Sequence, residues 1–246
     1  MLEMINMYIC LFMLLLGICE AATGEHDACP FTAQGFRSLR LLVDVNRRGF
    51  HRDLVYSVRH DNGLPADLRV LLIHKLPSGI YMDVYQLESL KKDAGLQVLL
   101  NSEVDLEAPA YWSPAFFAFV YPTSHPTMPW HLQAVVPFHG RYHRPSLSGK
   151  WEQLVIEPPK LLLKSDICKP LFSSLSHKVI EAPCTAKNYS FCTWIEFDNL
   201  QGPKAVTLDL PVGDLSLTLP VCGGTLAITV ICSLYLSQTI WKYGTF

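Results

Sequence analysis

The sequence predicts a mainly β fold, in which a sandwich-like domain with one short helix precedes a single C-terminal transmembrane α-helix. Half of the 246 residues are hydrophobic, but the long apolar stretches lie near the two ends of the chain. Between them, short apolar and β-branched runs alternate with turn residues, as is typical of a β-sandwich. The formal net charge of -2 shows no basic excess and gives no support for a nucleic-acid-binding role.

Six of the short runs are predicted to be strands of a mostly antiparallel sheet. They cover residues 39–45, 51–58, 68–73, 115–121, 132–138 and 204–210. In the second run, Leu54, Tyr56 and Val58 recur at every second position, so their side chains share one face. Asn62 and Gly63 follow this run and are suited to turning the chain.

One helix is predicted from Asp83 to about Asp93. Asp83 can cap its first turn, and Gln86 stands three residues later, where a capping box would place it. Apolar residues then recur at helical spacing, and Gly95 can end the helix.

Residues 1–21 are predicted to be a cleaved signal peptide. Residues 4–18 form an uncharged run of the length of a signal h-region, and Ala21 and Ala22 supply small residues for cleavage. An uncleaved first transmembrane helix is the alternative, but the run is shorter than the roughly 20 residues that a span needs. Residues 22–214 are therefore expected to form a lumenal β-rich domain.

Residues 215–241 are predicted to be the transmembrane helix because they contain no charged side chain and exceed the length of a span. Asp214 precedes them, Lys242 follows them, and Trp241 suits the membrane interface. A lipid-anchor attachment signal also ends in an apolar tail, but that tail is shorter and needs no basic residue behind it. We expect a single-pass type I protein in which residues 242–246 form a cytosolic tail.

One stripe of the predicted span is small and polar. Its members are Gly223, Thr225, Ala227, Thr229, Ser233 and Ser237. Such a stripe lets a second membrane helix pack closely, so these residues are candidates for facing a partner. The alternative is that each hydroxyl bonds to the carbonyl group four residues earlier in the same helix. Gln238 favours the partner slightly, because an amide facing lipid is costly.

Four of the eight cysteines are expected in the oxidising lumen: Cys29, Cys168, Cys184 and Cys192. They can form two disulfides in three connectivities, among which the sequence cannot choose, although Cys184 and Cys192 are nearest in the chain. Asn188 lies between these two, in an Asn-Tyr-Ser glycosylation sequon. A glycan on an exposed loop is therefore expected at Asn188.

Histidines and arginines in the domain do not form a recognisable reactive motif. His139 and His143 are four residues apart, but Gly140 and the preceding Val-Val-Pro make this segment a strand leading into a turn, where that spacing does not suit metal ligands. A cationic patch of residues 51–52 and 141–144 could bind a phosphate group, although a structural use of these arginines is favoured.

Three carboxylates, Glu103, Asp105 and Glu107, alternate along one short segment. Paired carboxylates perform sugar transfer and hydrolysis, but a solvated strand face, with Val104 and Leu106 turned inward, is the favoured interpretation. Motifs for nucleophilic catalysis, for a phosphate loop and for zinc are missing from the sequence. We therefore predict no catalytic residue, no cofactor and no metal ligand.

Several short blocks of the sequence resemble the PIG-X family. They are residues 49–54 (GFHRDL), 76–83 (LPSGIYMD), 85–90 (YQLESL), 105–109 (DLEAP), 141–145 (RYHRP), 182–184 (APC) and 242–244 (KYG). The resemblance extends from about residue 49 to the C-terminus and includes the same kind of C-terminal anchor.

This resemblance implies a non-catalytic, stabilising subunit of glycosylphosphatidylinositol (GPI) mannosyltransferase I in the endoplasmic reticulum membrane. Catalysis would belong to a multi-span partner, PIG-M, which transfers the first mannose from dolichol-phosphate mannose to the GPI precursor on the lumenal face. The alternative function is a single-span cell-surface receptor or adhesion module with a β-sandwich ectodomain. Stable presence at the plasma membrane without the enzyme subunit would favour that alternative.

Overall fold

The computed structural model describes residues 29, 31–32, 38–61, 63–125, 127–147, 150–197 and 204–244. The predicted signal peptide, residues 1–21, lies outside the described residues. β-Strand is the commonest regular structure of the described chain, and a long apolar helix follows at its C-terminal end. The predicted fold class is therefore confirmed.

The strands of the described residues, in chain order, are β1 (Arg40–Asn46), β2 (His51–Arg59), β3 (Arg69–Leu76), β4 (Ile80–Tyr81), β5 (Val98–Leu100), β6 (Phe116–Val120), β7 (Thr123–His125), β8 (Met128–Gly140), β9 (Trp151–Ile156), β10 (Lys160–Lys164), β11 (His177–Thr185), β12 (Asn188–Phe197) and β13 (Val206–Pro211). The helices are α1 (Val84–Asp93), α2 (Lys169–Ser174) and α3 (Thr218–Tyr243), and a 3₁₀ turn, Leu215–Leu217, precedes α3.

These strands form three antiparallel sheets. The first sheet has the order β1-β2-β8-β4, with β7 also paired to β8, and the second has the order β11-β12-β10-β3-β6-β5. β9 and β13 form a separate two-stranded sheet, although they are far apart in the chain. All six predicted strands are present, whereas β4, β5, β7 and β9 to β12 were not predicted.

The main core lies between the first and second sheets. Leu54, Tyr56 and Val58 of β2 are fully buried there, as their alternation predicts. They pack in one apolar cluster with residues of the second sheet such as Leu72 and Ala118. Burying apolar side chains of this size contributes on the order of 1.5–3 kcal/mol each, which makes this interior the principal source of stability.

Helix α1 begins and ends where the sequence predicts. The Asp83 carboxylate accepts hydrogen bonds from the backbone N–H groups of Tyr85 (2.8 Å) and Gln86 (3.4 Å). Gly95, just beyond the helix, has a φ of +68°, which glycine adopts without strain. A capping box would also have the Gln86 side chain accept a hydrogen bond from the Asp83 backbone N–H. This part of the prediction is wrong, because Gln86 Oε1 instead lies 3.1 Å from His139 Nε2.

A second, smaller core lies on the outer face of the second sheet. The β11–β12 hairpin folds over this face and buries Leu71, Leu162 and Trp194 beneath it. Two tyrosine hydroxyl groups bond the hairpin to the β5–β6 end of the sheet. Tyr121, just after β6, donates to the Pro183 carbonyl of the hairpin (2.7 Å), and Tyr189 of the hairpin donates to the Leu100 carbonyl of β5.

Two disulfides join the four lumenal cysteine candidates. Cys184 bonds to Cys192 across the β11–β12 hairpin, and Cys29 bonds to Cys168, just before α2. The second bond links residues 139 positions apart. In the chain-entropy treatment, closing so long a loop stabilises the fold by about 4–5 kcal/mol.

A buried tyrosine–histidine pair connects the first and second sheets. Tyr56 and His74 are both fully buried. The Tyr56 hydroxyl lies 2.7 Å from His74 Nδ1, and His74 Nε2 lies 2.7 Å from the Glu157 carbonyl oxygen. Burial raises the pKa of Tyr56, so its hydroxyl keeps its proton and donates to Nδ1. Neutral His74 therefore carries its proton on Nε2 and donates to Glu157.

Burial also lowers the pKa of His74 to about 4, and this predicts acid sensitivity. In the unfolded chain His74 has an ordinary pKa near 6.5, so between pH 6.5 and pH 4 the unfolded state binds more protons than the folded state. The free energy of unfolding should fall by about 3 kcal/mol as the pH drops through this interval, because a tenfold difference in proton affinity corresponds to about 1.4 kcal/mol. Thermal unfolding of the purified full chain at a series of pH values measures this.

The variant His74→Gln keeps a donor and an acceptor but does not titrate, so part of this pH dependence should disappear. His51→Gln replaces an exposed histidine and serves as the control, with pH dependence like that of the unmodified chain. An unchanged pH profile for His74→Gln would contradict the assignment.

Candidate membrane and partner interface

The C-terminal helix is long and apolar enough to cross a membrane. Residues Leu215–Tyr243 form one helical segment of 29 residues. None of its residues is buried against the domain. Their apolar side chains therefore require an apolar medium outside the domain. The helix extends two residues beyond the predicted end at Trp241.

The hydroxyl groups of the small stripe bond within their own helix. Thr225 donates to the Val221 carbonyl (2.6 Å) and Thr229 to Thr225 (2.8 Å). Ser233 and Ser237 donate in the same way to the carbonyls four residues earlier, each at 2.8 Å. This is the second of the two interpretations that the sequence left open. With these donors satisfied, a partner helix would gain from the stripe mainly a smooth, narrow surface for close packing.

Gly223 and Ala227 lie on a different side of the helix from most of the hydroxyl groups. At 3.6 residues per turn, they are roughly 160° and 200° around the axis from Thr225. A Cβ atom added at Gly223 would meet no atom of the rest of the protein within 4 Å. The six residues predicted as one stripe therefore form two small surfaces, and the hydroxyl groups define the longer one.

The folded domain is bonded directly to the start of the span. The Ser146 N–H donates to the Gly213 carbonyl (2.9 Å), and the Leu215 N–H donates to the Ser146 carbonyl (3.2 Å). Ser146 and Asp214 form an isolated parallel β-bridge. The Val212 N–H also donates to the Lys150 carbonyl (2.9 Å). These bonds fix the direction in which the helix leaves the domain.

Asp214 caps the first helical turn of the span. Its carboxylate accepts from the Ser216 hydroxyl (2.6 Å) and from the Ser216 backbone N–H (2.9 Å). The hydrogen bond from the Ser216 side chain, followed by that from its backbone, lowers the pKa of Asp214. The carboxylate is therefore ionised at neutral pH and marks the polar end of the helix.

Two of the three arginines considered for a cationic patch, Arg52 and Arg141, bind backbone carbonyl groups. Arg52 donates to Gly49 (2.7 Å) and to Asp209 (2.6 Å). Arg141 is buried, donates to the Ala108 carbonyl (2.5 Å), and stands 4.8 Å from the centre of the Tyr81 ring. Desolvation lowers the pKa of Arg141, while the Asp105 carboxylate opposes this. These side chains hold loops to the sheets, as the structural interpretation predicts.

The prediction that the three carboxylates lie on a strand is wrong. Residues 103–105 have no regular secondary structure and residues 106–107 form a bend. Asp105 Oδ1 accepts from the N–H groups of Glu107 (2.9 Å) and Ala108 (3.1 Å) and so folds the chain into a turn. The predicted alternation of burial is present, with Val104 and Leu106 half-buried and the carboxylates exposed. In the described part of the chain, no group of three or more His, Cys, Asp or Glu side chains could hold a metal ion.

The sequon lies at the tip of the β11–β12 hairpin. Asn188 is exposed at the first position of β12, and its Oδ1 accepts from the Ser190 hydroxyl (2.7 Å). The Cys184–Cys192 disulfide closes the hairpin just before this tip. The Asn188 side chain is therefore accessible to a modifying enzyme.

Comparison with known proteins gives one consistent answer. The sequence model of a family described as PIG-X / PBN1 matches residues 47–241. A human protein named "GPI alpha-1,4-mannosyltransferase I, stabilizing subunit" is 34% identical, over 95% of this chain and 94% of its own length. Proteins of the same name from mouse and rat are each 33% identical, over 90% and 80% of this chain and 91% and 80% of their own lengths.

The family model spans most of the chain, including the second sheet, the first sheet except β1, the junction at Ser146 and most of the membrane helix. With the relatives, which match over at least 80% of their own lengths, it covers most of the molecule and not an isolated motif: the chain belongs to the PIG-X family.

Proposed function

We propose that this chain is the non-catalytic stabilising subunit of GPI mannosyltransferase I in the endoplasmic reticulum membrane. The observation that carries the proposal is the similarity, over almost the whole length, to relatives that are named stabilizing subunits of that enzyme. The catalytic partner is the multi-span subunit PIG-M, which transfers the first mannose from dolichol-phosphate mannose to the GPI precursor. The β-rich domain lies in the lumen, and α3 anchors it.

The contacts within the domain support a role without chemistry. Arg52, Arg141 and Asp105 all bind backbone groups of their own chain. A catalytic acid or base would instead need a free side chain beside a substrate site. A single membrane helix also cannot enclose a polyprenyl donor by itself, so the acceptor and donor lipids belong to the partner.

Stabilisation follows from mass action. A subunit that binds only the folded partner lowers the partner's free energy relative to its unfolded forms, and this protects it from degradation. The stripe of α3 offers the packing surface for a membrane helix of the partner. The hydrogen-bonded junction at Ser146 then holds the lumenal domain in a fixed direction above that contact.

Loss of this subunit should lower the amount of active enzyme and leave turnover per surviving enzyme molecule unchanged. The stripe is tested by a fourfold variant: Thr225→Leu, Thr229→Leu, Ser233→Leu and Ser237→Leu. Leucine at these positions blocks close approach of a neighbouring helix, so less partner should be recovered on affinity purification from endoplasmic reticulum membranes. Quantitative blotting of the partner and mannosyl transfer per partner molecule are the two measurements.

The matched control for the stripe is Ile231→Leu with Tyr235→Leu. These positions lie about 200° around the helix from Thr229 and Ser233, so assembly should be unchanged. Equal loss of partner in both variants would show that helix composition, and not the stripe, governs assembly. Stable display of the chain at the plasma membrane without partner would instead favour the receptor function.

The three carboxylates provide the test of chemistry. The combined variant Glu103→Gln, Asp105→Asn and Glu107→Gln removes every negative charge of the segment. Mannosyl transfer per assembled complex should stay near normal, because the segment is an exposed turn with no catalytic role. Loss of transfer at an unchanged level of partner would place a catalytic step in this chain and overturn the proposal.

Lumenal topology predicts a glycan on Asn188. In cells with active glycosylation, Asn188→Gln should increase gel mobility by one glycan, and peptide N-glycosidase treatment of the unmodified chain should give the same shift. Ser190→Ala, which removes the sequon but keeps the asparagine, should behave identically. Unchanged mobility in both variants would contradict this placement of the hairpin tip.

A further inference from the structure

A group of exposed aromatic, apolar and cationic side chains lies on segments that are linked to the start of the membrane helix. We refer to Tyr111, Trp112, Arg144, Leu147, Lys150 and Trp151 as the collar. Trp112 is 75% exposed, Trp151 63% and Leu147 76%. Large apolar side chains are seldom left so exposed in a group, and such a patch marks a binding surface.

The inner part of the collar consists of Leu147, Lys150 and Trp151. The pairing at the junction places it beside the first residues of the span. The bridge between Ser146 and Asp214 is parallel, so the chain runs from Ser146 to Leu147 in the same direction as it runs from Asp214 to Leu215. Leu147 is therefore directed toward the bilayer together with the start of the span.

Two more collar residues lie at nearly the same level. Trp151 is the first residue of β9 and pairs with Pro211, the last residue of β13. Lys150 accepts a backbone hydrogen bond from Val212. Because β13 leads toward the span, these paired residues form the membrane-proximal end of the β9–β13 sheet.

The outer part of the collar consists of Tyr111, Trp112 and Arg144, and it is linked to the segment that contains Ser146. The Arg144 guanidinium stands 4.4 Å from the centre of the Tyr111 ring, and the Ala110 N–H donates to the Tyr142 carbonyl (3.0 Å). Arg144 is two residues from Ser146, or about 7 Å at the rise of an extended chain. The headgroup layer on each side of the hydrocarbon core is roughly 5–8 Å thick, so the outer part reaches headgroup level.

We infer that the collar is a lipid-binding surface, which seats the lumenal domain on the headgroup layer of the bilayer around α3. Tryptophan and tyrosine favour this layer because their rings are apolar and their N–H and O–H groups are polar. Lys150 and Arg144 can bind lipid phosphate, while Leu147 enters the boundary of the hydrocarbon. The inference rests on the proposed membrane anchoring by α3, with which the collar is continuous.

The test is site-directed spin labelling of the full chain in phosphatidylcholine nanodiscs, starting from a background with Cys222→Ala and Cys232→Ala, since these are the free cysteines of the described residues. Labels at Leu147→Cys and Trp151→Cys should collide with oxygen, which is soluble in lipid, more often than with a water-soluble nickel chelate. A label at Trp112→Cys should show an intermediate ratio.

Two references calibrate the measurement. Val179→Cys and Phe191→Cys lie on the β11–β12 hairpin and are as exposed as Trp151, at 61% and 63%. Their strands belong to the second sheet and do not pair with β9 or β13, so these labels should report water. Leu226→Cys lies within α3 and should report lipid.

The collar inference is overturned if labels at positions 147 and 151 are as accessible to the chelate as those at positions 179 and 191, or if they are shielded only after the catalytic subunit is added. The second result would assign the surface to a protein contact. A water-like ratio at Trp112→Cys would overturn the assignment of the outer part. If Leu226→Cys also reports water, the membrane anchoring itself fails, and this outcome is distinct from failure of the collar alone.

Discussion

The backbone hydrogen bonds of Ser146 to Gly213 and Leu215 couple the folded domain to the membrane helix. Without them, the chain between β13 and α3 would be a short free segment, and the domain could rotate relative to the bilayer. With them, the segment after β8, the β9–β13 sheet and the start of the helix are held together. Any contact made by the helix in the membrane thus also determines which surface the domain presents outside the membrane.

The sandwich supplies the rigidity that this coupling needs. Arg52 of β2 donates to the Asp209 carbonyl of β13 (2.6 Å) and so ties the first sheet to the β9–β13 sheet, which leads into the span. The Tyr56–His74 pair ties the first and second sheets to each other and, through Glu157, to the segment between β9 and β10. These three polar side chains thus join separate parts of the domain.

The sequence predicts those elements whose signal is local. The apolar residues of β2 recur at every second position, Asp83 caps α1 by a short-range hydrogen bond, and the span is evident from its length without charge. β10 was missed because Leu161, Leu162 and Leu163 are all buried. The β11–β12 hairpin covers the outer face of the second sheet, so the alternation that normally identifies a strand is absent there. The packing of this hairpin on the sheet is a long-range contact, and no local sequence pattern predicts it.

The features of the candidate interface also differ in whether the sequence predicts them. The small stripe is a repeat of four residues and can be found in the sequence, whereas the pairing of Ser146 with Asp214 joins segments that are far apart in the chain and carry no local signal. The turn at Asp105 illustrates an intermediate case: alternation predicted the burial of Val104, but the carboxylate's bonds to two backbone N–H groups favour a turn over a strand. Chain composition therefore identifies the membrane anchor, but only the folded structure shows that hydrogen bonds join the anchor to the domain. A stabilising subunit depends on this connection. A contact in the membrane can restrain the parts of a partner outside the membrane only if the domain cannot rotate relative to the helix.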